Sequence, residues 1–237
     1  MFTRILFAAV VAGLAAGLFM SILQQWRVEP LILEAELYEG GVTNEHEGGV
    51  VPDENHEVVA TDEAAAGDWA PQDGAERIFY TVLANLLGGI GFALVIAAVS
   101  VFAGIEITPQ NGLLWGLGGF IVFQLAPSIG LAPELPGMPA ADVGLRQVWW
   151  WGTVISTAAA FVILAKWRTP VTFAVAAALL LAPHLIGAPG IADQTSSVPA
   201  HLATEFAANA LAVGAAFWLI LGAMMPWTLK RFASVAP

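Results

Sequence analysis

The chain has 237 residues, of which 58% are hydrophobic and only 11% are charged, whereas soluble domains carry about 25% charged residues. This composition excludes an ordinary soluble domain and indicates a membrane protein. The formal net charge of −11 leaves no basic surface for nucleic acid, and the lack of cysteine excludes disulfides, thiol catalysis and cysteine-based metal centres.

Six apolar stretches are long enough, or nearly long enough, to cross a bilayer. A spanning helix needs about 20 residues, because a hydrocarbon core of about 30 Å is crossed at about 1.5 Å per residue. The stretches predict an all-α fold, a single membrane domain (1–237) that forms a polytopic helix bundle of about six transmembrane helices. They cover residues 5–23, 78–103, 113–131, 148–165, 171–188 and 203–225.

The first stretch has a second interpretation, because residues 1–23 also fit a cleaved signal peptide. A stretch of this length is long for such a signal, so a first span is favoured. Small residues four apart let a neighbouring helix approach closely. Gly13 and Gly17 form such a pair in this span, and Gly112 and Gly116 form another in the third.

An acidic segment, residues 24–77, separates the first two spans. Most of the 19 carboxylates lie in it, and no Lys or Arg occurs between Glu29 and Glu76. Few large apolar residues follow Tyr38, so we expect a long acidic outer loop with little packed core. Such a loop attracts cations.

Basic residues near span ends favour the cytoplasmic side. With the N-terminus inside, more of them are cytoplasmic than external. We therefore predict a multi-pass protein of the cell inner membrane with both termini in the cytoplasm. The inner residues are Arg4, Lys166, Arg168, Lys230 and Arg231, and the outer residues are Arg27, Arg77 and Arg146.

All the histidines fall on the outer side in this topology. His46 and His56 stand among carboxylates of the acidic segment. Divalent transition metals such as Co, Ni or Zn accept this mixture of imidazole and carboxylate. The alternative interpretation is a solvated acidic loop with two incidental histidines.

Two further histidines lie near the outer ends of spans. His201 and Glu205 are four apart at the start of the last span, so one helix face presents both. They form a metal site if a third ligand joins them, and otherwise an ordinary hydrogen-bonded pair. His184 is the candidate third ligand, since ionisable groups in apolar helices usually face the bundle interior or a polar cavity. Its alternative is a neutral histidine bonded to a backbone carbonyl.

Three amides, Asn85, Gln124 and Asn209, lie inside apolar spans. They either join helices by hydrogen bonds or line a permeation path with uncharged oxygen ligands. Before the fourth span, a proline-rich loop over residues 132–147 is expected to fold back on the bundle.

Arg146 lies at the end of that loop and is expected to pair with an acidic residue, which would lock the outer loops together. The candidate partners are Glu134, Asp142 and Asp193.

Several chemistries are absent from the sequence. No phosphate-binding loop, no G-x-S-x-G and no H-E-x-x-H sequence occurs. We therefore predict no enzymatic activity and no required cofactor. A membrane metal hydrolase built on His184, His201 and Glu205 is a weaker interpretation, because nothing marks a nucleophile.

Four motifs spread over the chain carry a family resemblance. They are Glu34-Ala35-Glu36 with Tyr38-Glu39, Gly130 to Gly137, Arg146-Gln147 with Trp149-Trp150, and Pro183-His184-Leu185-Ile186-Gly187-Ala188-Pro189. Together they resemble the CbtA family, proposed cobalt transporter subunits of bacteria. The resemblance implies cobalt uptake linked to cobalamin synthesis and a functional role for His184. It also implies two partners, the lipid bilayer and a small one-helix protein called CbtB.

These features predict a membrane subunit of a divalent transition-metal uptake system, with cobalt as the cargo that the resemblance implies. The acidic segment, with His46 and His56, captures cations for an entrance site near His184, His201 and Glu205. Because so few histidines stand among the acids, nickel or zinc fits as well as cobalt. The alternative is a structural accessory subunit of a larger membrane complex without transport activity.

Overall fold

The computed structural model describes residues 2–41, 71–191 and 195–233. Within these ranges the fold has seven helices and no strand, so the all-α prediction is confirmed. The helices are α1 (Phe2–Arg27), α2 (Glu29–Gly41), α3 (Ala75–Ala103), α4 (Gly112–Ser128), α5 (Val143–Lys166), α6 (Pro170–Ile186) and α7 (Ala200–Ala233).

Four helices, α1, α3, α5 and α7, are long and apolar enough to cross a membrane. Helices α4 and α6 are apolar but shorter, α6 having 17 residues. A helix of this length reaches roughly 25 Å, somewhat less than the hydrocarbon core of about 30 Å. Length and composition thus support four of the six predicted spans. The spans at α4 and α6 stay predictions.

Helix α1 lies between α3 and α7 and packs closely on both. A Cβ added at Gly13 would lie 2.6 Å from the backbone of Gly89 in α3, and Gly17 makes a similar approach to Asn85. Lipid tails are as apolar as leucine, so helices in a bilayer associate where small residues permit close packing. The role predicted for Gly13 and Gly17 is confirmed.

Helix α4 packs antiparallel on another face of α7. A Cβ added at Gly112 would lie 2.5 Å from the carbonyl oxygen of Gly222, and Gly116 approaches the backbone at Trp218. The second predicted glycine pair therefore also makes a close helix contact. Helices α5 and α6 form a tight hairpin, in which Thr169 caps the start of α6 and Pro170 occupies its first turn.

The two ends of the bundle differ in charge. We call the acidic end the one formed by the end of α1, α2, residues 71–80, residues 129–142, the start of α5, the end of α6 and the start of α7. The basic end is formed by residues 104–111, the turn at residues 166–169 and the C-terminal end of α7. Of the carboxylates in the described ranges, all but Glu106 lie at the acidic end.

The predicted bounds of the acidic loop, residues 24–77, were wrong, because parts of three helices lie within them. Helix α1 continues to Arg27, α2 follows at once, and α3 begins at Ala75, so residues 24–41 are mostly helical. The apolar face of α2 explains this difference, because Leu31 and Ala35 are buried against the start of α7 and the proline-rich loop. Residues 42–70 of the predicted loop lie outside the described ranges.

Arg77 and three carboxylates form an ion-pair cluster that holds α2 against α3. The Arg77 guanidinium lies 2.9 Å from Glu36, 3.1 Å from Asp73 and 3.7 Å from Glu29. Glu36 belongs to the first family motif, so this motif contributes to packing at the acidic end. Removing Arg77 would leave three carboxylates without their shared cation.

Candidate functional site

The predicted metal ligands are spread over the acidic end. His184 lies in the last turn of α6, and His201 and Glu205 lie in the first turns of α7. His46 and His56 lie outside the described residues. Over the ranges that the structure describes, no three His, Asp or Glu side chains form a group that could hold a metal ion.

His184 is half-buried and packs edge to face on Trp149, with ring centroids 6.0 Å apart and planes at 66°. The Trp149 Nε1–H donates a hydrogen bond of 3.1 Å to the carbonyl oxygen of Pro183. The same indole lies over Gly130, where an added Cβ would meet it at 2.6 Å. Three of the four family motifs therefore meet at this joint, which connects α5, α6 and the proline-rich loop.

His201 and Glu205 are both exposed and lie one turn apart on α7. One further turn along, the Asn209 amide donates to the Glu205 carbonyl oxygen at 2.8 Å and accepts from Arg27 Nε at 3.1 Å. The two exposed side chains are therefore accessible from outside the bundle, and the Arg27 guanidinium lies one turn further along, at Asn209. Asn209 itself joins α7 to α1.

A cleft of about 680 Å³ opens between α1, α4, α5 and α7, and none of His184, His201 and Glu205 lines it. We call it the acidic-end cleft. Most of its wall is apolar, and its polar groups come from four different parts of the chain. They are Gln24, Gln124, Ser128, Glu134, Arg146 and Gln147.

Gln124 is the most unusual of these groups. It lies on a π-helical segment, Ile121–Leu125, within α4, and such segments are frequent at functional sites. Its Oε1 atom is buried and has no hydrogen-bond partner in the described part of the chain. A buried acceptor without a donor costs about 1–3 kcal/mol. The amide lies against α7 at Gly214, where an added Cβ would meet it.

The other two amides of the spans behave differently. The Asn85 Nδ2 group donates to Ser21 Oγ at 3.1 Å and to Gln24, and so joins α3 to α1. Asn209 joins α7 to α1. Of the three amides predicted either to join helices or to line a path, only Gln124 lies in the cleft wall.

Glu134 brings a carboxylate to the mouth of the cleft. It forms an ion pair with Arg146 at 2.8 Å, so the predicted pairing of Arg146 is confirmed with this partner. Asp142 instead caps α5, where its Oδ1 accepts from the Leu145 N–H at 2.9 Å. The neighbouring Leu135 is buried, which shows that the proline-rich loop folds back on the bundle as predicted.

Phe123 forms the floor of the cleft. Its ring stacks on Trp218 with centroids 5.5 Å apart and planes at 8°, and it also contacts Phe92 at 5.1 Å. Phe123 lines both the cleft and a second cavity on the other side.

Sequence reasoning missed Gln24 and Gln147 as cleft residues. Gln24 was assigned to the start of a loop, whereas α1 continues through it. Its amide at the end of an apolar helix was the available signal. Gln147 stands in the third family motif, but only the tertiary arrangement brings it into the cleft wall.

A family model described as "Probable cobalt transporter subunit (CbtA)" matches residues 2–230. The match includes all four motifs, so the resemblance found in the sequence is confirmed. Comparison with curated proteins and with solved structures finds no match. The family and the four long apolar helices together indicate a membrane location. The chain therefore belongs to the CbtA family of probable cobalt transporter subunits.

Proposed function

We propose that this chain is the membrane subunit of a divalent transition-metal uptake system, and that cobalt enters it through the acidic-end cleft. The observation that carries the proposal is the side-chain oxygen of Gln124, Oε1, which is buried without a partner in the described residues, in the wall of a cleft that also holds the Glu134–Arg146 ion pair. A cation needs electron-pair donors, and an unpaired oxygen supplies one without the strong attraction of a full charge.

Capture precedes passage in this proposal. The acidic segment concentrates divalent cations, and His46 and His56 take part in binding them. We propose that entering cations meet two positions at the same end, His184 at one and His201 with Glu205 at the other. Imidazole favours Co, Ni and Zn over Mg and Ca, so these histidines provide the selection.

The cleft then conducts the selected ion. Amide oxygens bind a hydrated divalent cation more weakly than a set of imidazoles would, so the ion can leave again.

The orientation and the partners belong to the same proposal. The basic end is cytoplasmic, both termini lie there, and the acidic end faces outward. A transporter subunit implies partner subunits, and we propose a small one-helix protein of the CbtB kind that carries further histidines.

The first test replaces the cleft amide. In cells whose cobalt accumulation depends on this protein, Gln124→Leu removes the oxygen while it keeps an apolar side chain of similar size. The variant loses the hydrogen bond that a water of the hydrated cation would donate to the amide oxygen. A charge-assisted hydrogen bond is worth about 1.5–3 kcal/mol, so we expect the rate of cobalt uptake to fall by roughly tenfold or more.

Gln25→Leu is the matched control. The Gln25 Nε2 group is also buried without a partner in the described residues, but Gln25 does not line the cleft. Uptake by this variant should stay near the wild-type rate when the two proteins are present in membranes at equal amounts. Equal uptake by both variants would contradict passage through the cleft.

A further inference from the structure

The second cavity lies toward the basic end and has a volume of about 390 Å³. Its wall is formed by α3, α4 and α5 and is almost entirely apolar, with Val95, Leu114 and Phe161 among its residues. Cavities of this size hold part of a small organic ligand. We call it the basic-end cavity.

The polar groups of the cavity lie where α3 meets α4 and where α5 meets α6. They include Asn111, before α4, and Arg168, in the turn after α5. The cavity wall includes no carboxylate to offset the Arg168 guanidinium, whereas Glu134 pairs with Arg146 in the acidic-end cleft. The cavity is therefore a poor continuation of a cation path.

Arg168 gives the cavity a preference for an anion. Its side chain is exposed, and no carboxylate of the described ranges lies within ion-pair distance of it. A guanidinium binds phosphate oxygens in a bidentate manner. Lys166 adds a second positive charge two residues earlier, with its ammonium 5.6 Å from the Trp167 ring centroid.

The surroundings are those of a membrane boundary. Trp167 is exposed beside the two basic residues, and tryptophan is enriched at the level of lipid headgroups. Basic pockets between transmembrane helices bind anionic lipid headgroups. An apolar cavity with an arginine at its border fits a molecule that has both an acyl chain and a phosphate group.

We propose that the basic-end cavity binds an anionic phospholipid, with one acyl chain between α4 and α5 and the phosphate at Arg168. The lipid fills a gap between α5 and the helices α3 and α4. This site is independent of cobalt uptake, so its test can fail or succeed whatever the cargo of the protein is.

The test of the acyl-chain position uses a pair of glycine variants. A Cβ added at Gly118 meets only Phe161, at 3.8 Å, so Gly118→Leu places a side chain in the cavity without a backbone clash. Gly152 on α5 has no atom within 4 Å of such a Cβ, so Gly152→Leu adds the same side chain in open space. Ala158→Leu, which also fills the cavity, replaces Gly118→Leu if that variant does not elute as a monodisperse protein.

The probe is phosphatidylglycerol with a photoreactive group in one acyl chain, present as a minor component of phosphatidylcholine nanodiscs. After illumination, mass spectrometry maps the labelled peptides. We expect label on the cavity-lining parts of α4 and α5 in the wild type and in Gly152→Leu, and roughly tenfold less with Gly118→Leu. Equal label in both glycine variants would overturn the proposal.

The headgroup test compares this probe with a phosphatidylcholine that carries the same photoreactive chain. The wild type should prefer the anionic probe at the cavity, and Arg168→Gln should remove that preference. Lys230→Gln, at the same end but outside the cavity wall, is the control and should keep it. Equal labelling of the wild type by both probes would also overturn the proposal.

Discussion

The joint between Trp149 and His184 shows two roles that one histidine can have. The imidazole packs on the indole, and the indole bonds the Pro183 carbonyl oxygen, so His184 helps to hold α6 against α5. The same side chain is a proposed metal ligand. Substitution by alanine removes both functions and does not distinguish them.

A pair of substitutions separates the two roles. His184→Phe keeps an aromatic ring against Trp149 but cannot bind a metal, whereas His184→Ala loses both. If His184 is a ligand, both variants should lower cobalt accumulation by roughly tenfold or more, since second-shell changes alone cost 10–100-fold in metal affinity. Accumulation near the wild-type level with His184→Phe would assign the residue to packing alone.

Single residues were predictable from sequence where their chemistry was local. The pairing of Arg146 with an acidic residue followed from charge, but only the structure selects Glu134 among the three candidates. Gln124 was recognised as an amide that either joins helices or lines a path, but the sequence could not decide between these two roles. No residue pattern marks the π-helical segment that places it in the cleft wall.

At the level of elements, the contact between α1 and α3 depends on the absence of side chains. A Cβ at Gly89 would meet the Gly13 carbonyl oxygen, whereas a Cβ at Gly91, two residues on, would meet no atom within 4 Å. The first glycine lies in the helix interface and the second does not.

These two glycines give a matched prediction for stability. Gly89→Leu must push α1 and α3 apart, and overpacking of this kind costs about 1–3 kcal/mol. Gly91→Leu should change the free energy of unfolding by less than about 0.5 kcal/mol. Unfolding in mixed detergent micelles measures both, and equal values for the two variants would show that the helices do not approach as closely as described.

The long helices were predictable because a bilayer sets their length. Helix α2 was not, since its many carboxylates suggested a solvated loop. Its apolar positions, Leu31 and Ala35, are four apart, which is the spacing of a helix face. They became informative only once α7 and the proline-rich loop supplied a surface to cover them.

At the scale of the whole molecule, the bundle has an acidic end and a basic end. Phe123 lies between the acidic-end cleft and the basic-end cavity. The glycine pairs predicted close helix contacts but not which helix each pair would contact. A small residue can pack against small residues on any neighbouring helix. The neighbours of α1 and the position of the cleft therefore depended on the tertiary structure.

The central claim is that transition-metal ions are captured at the acidic end of this bundle. Its most direct test is the metal content of the purified protein after equilibration with equal concentrations of Co²⁺, Ni²⁺, Zn²⁺ and Mg²⁺. The comparison is a variant in which a Gly/Ser linker of equal length replaces residues 42–70, which include His46 and His56. We expect the wild type to retain cobalt or another transition metal but no magnesium, and the variant to lose most of it. A wild-type protein without bound transition metal, or equal retention by the variant, would contradict the claim.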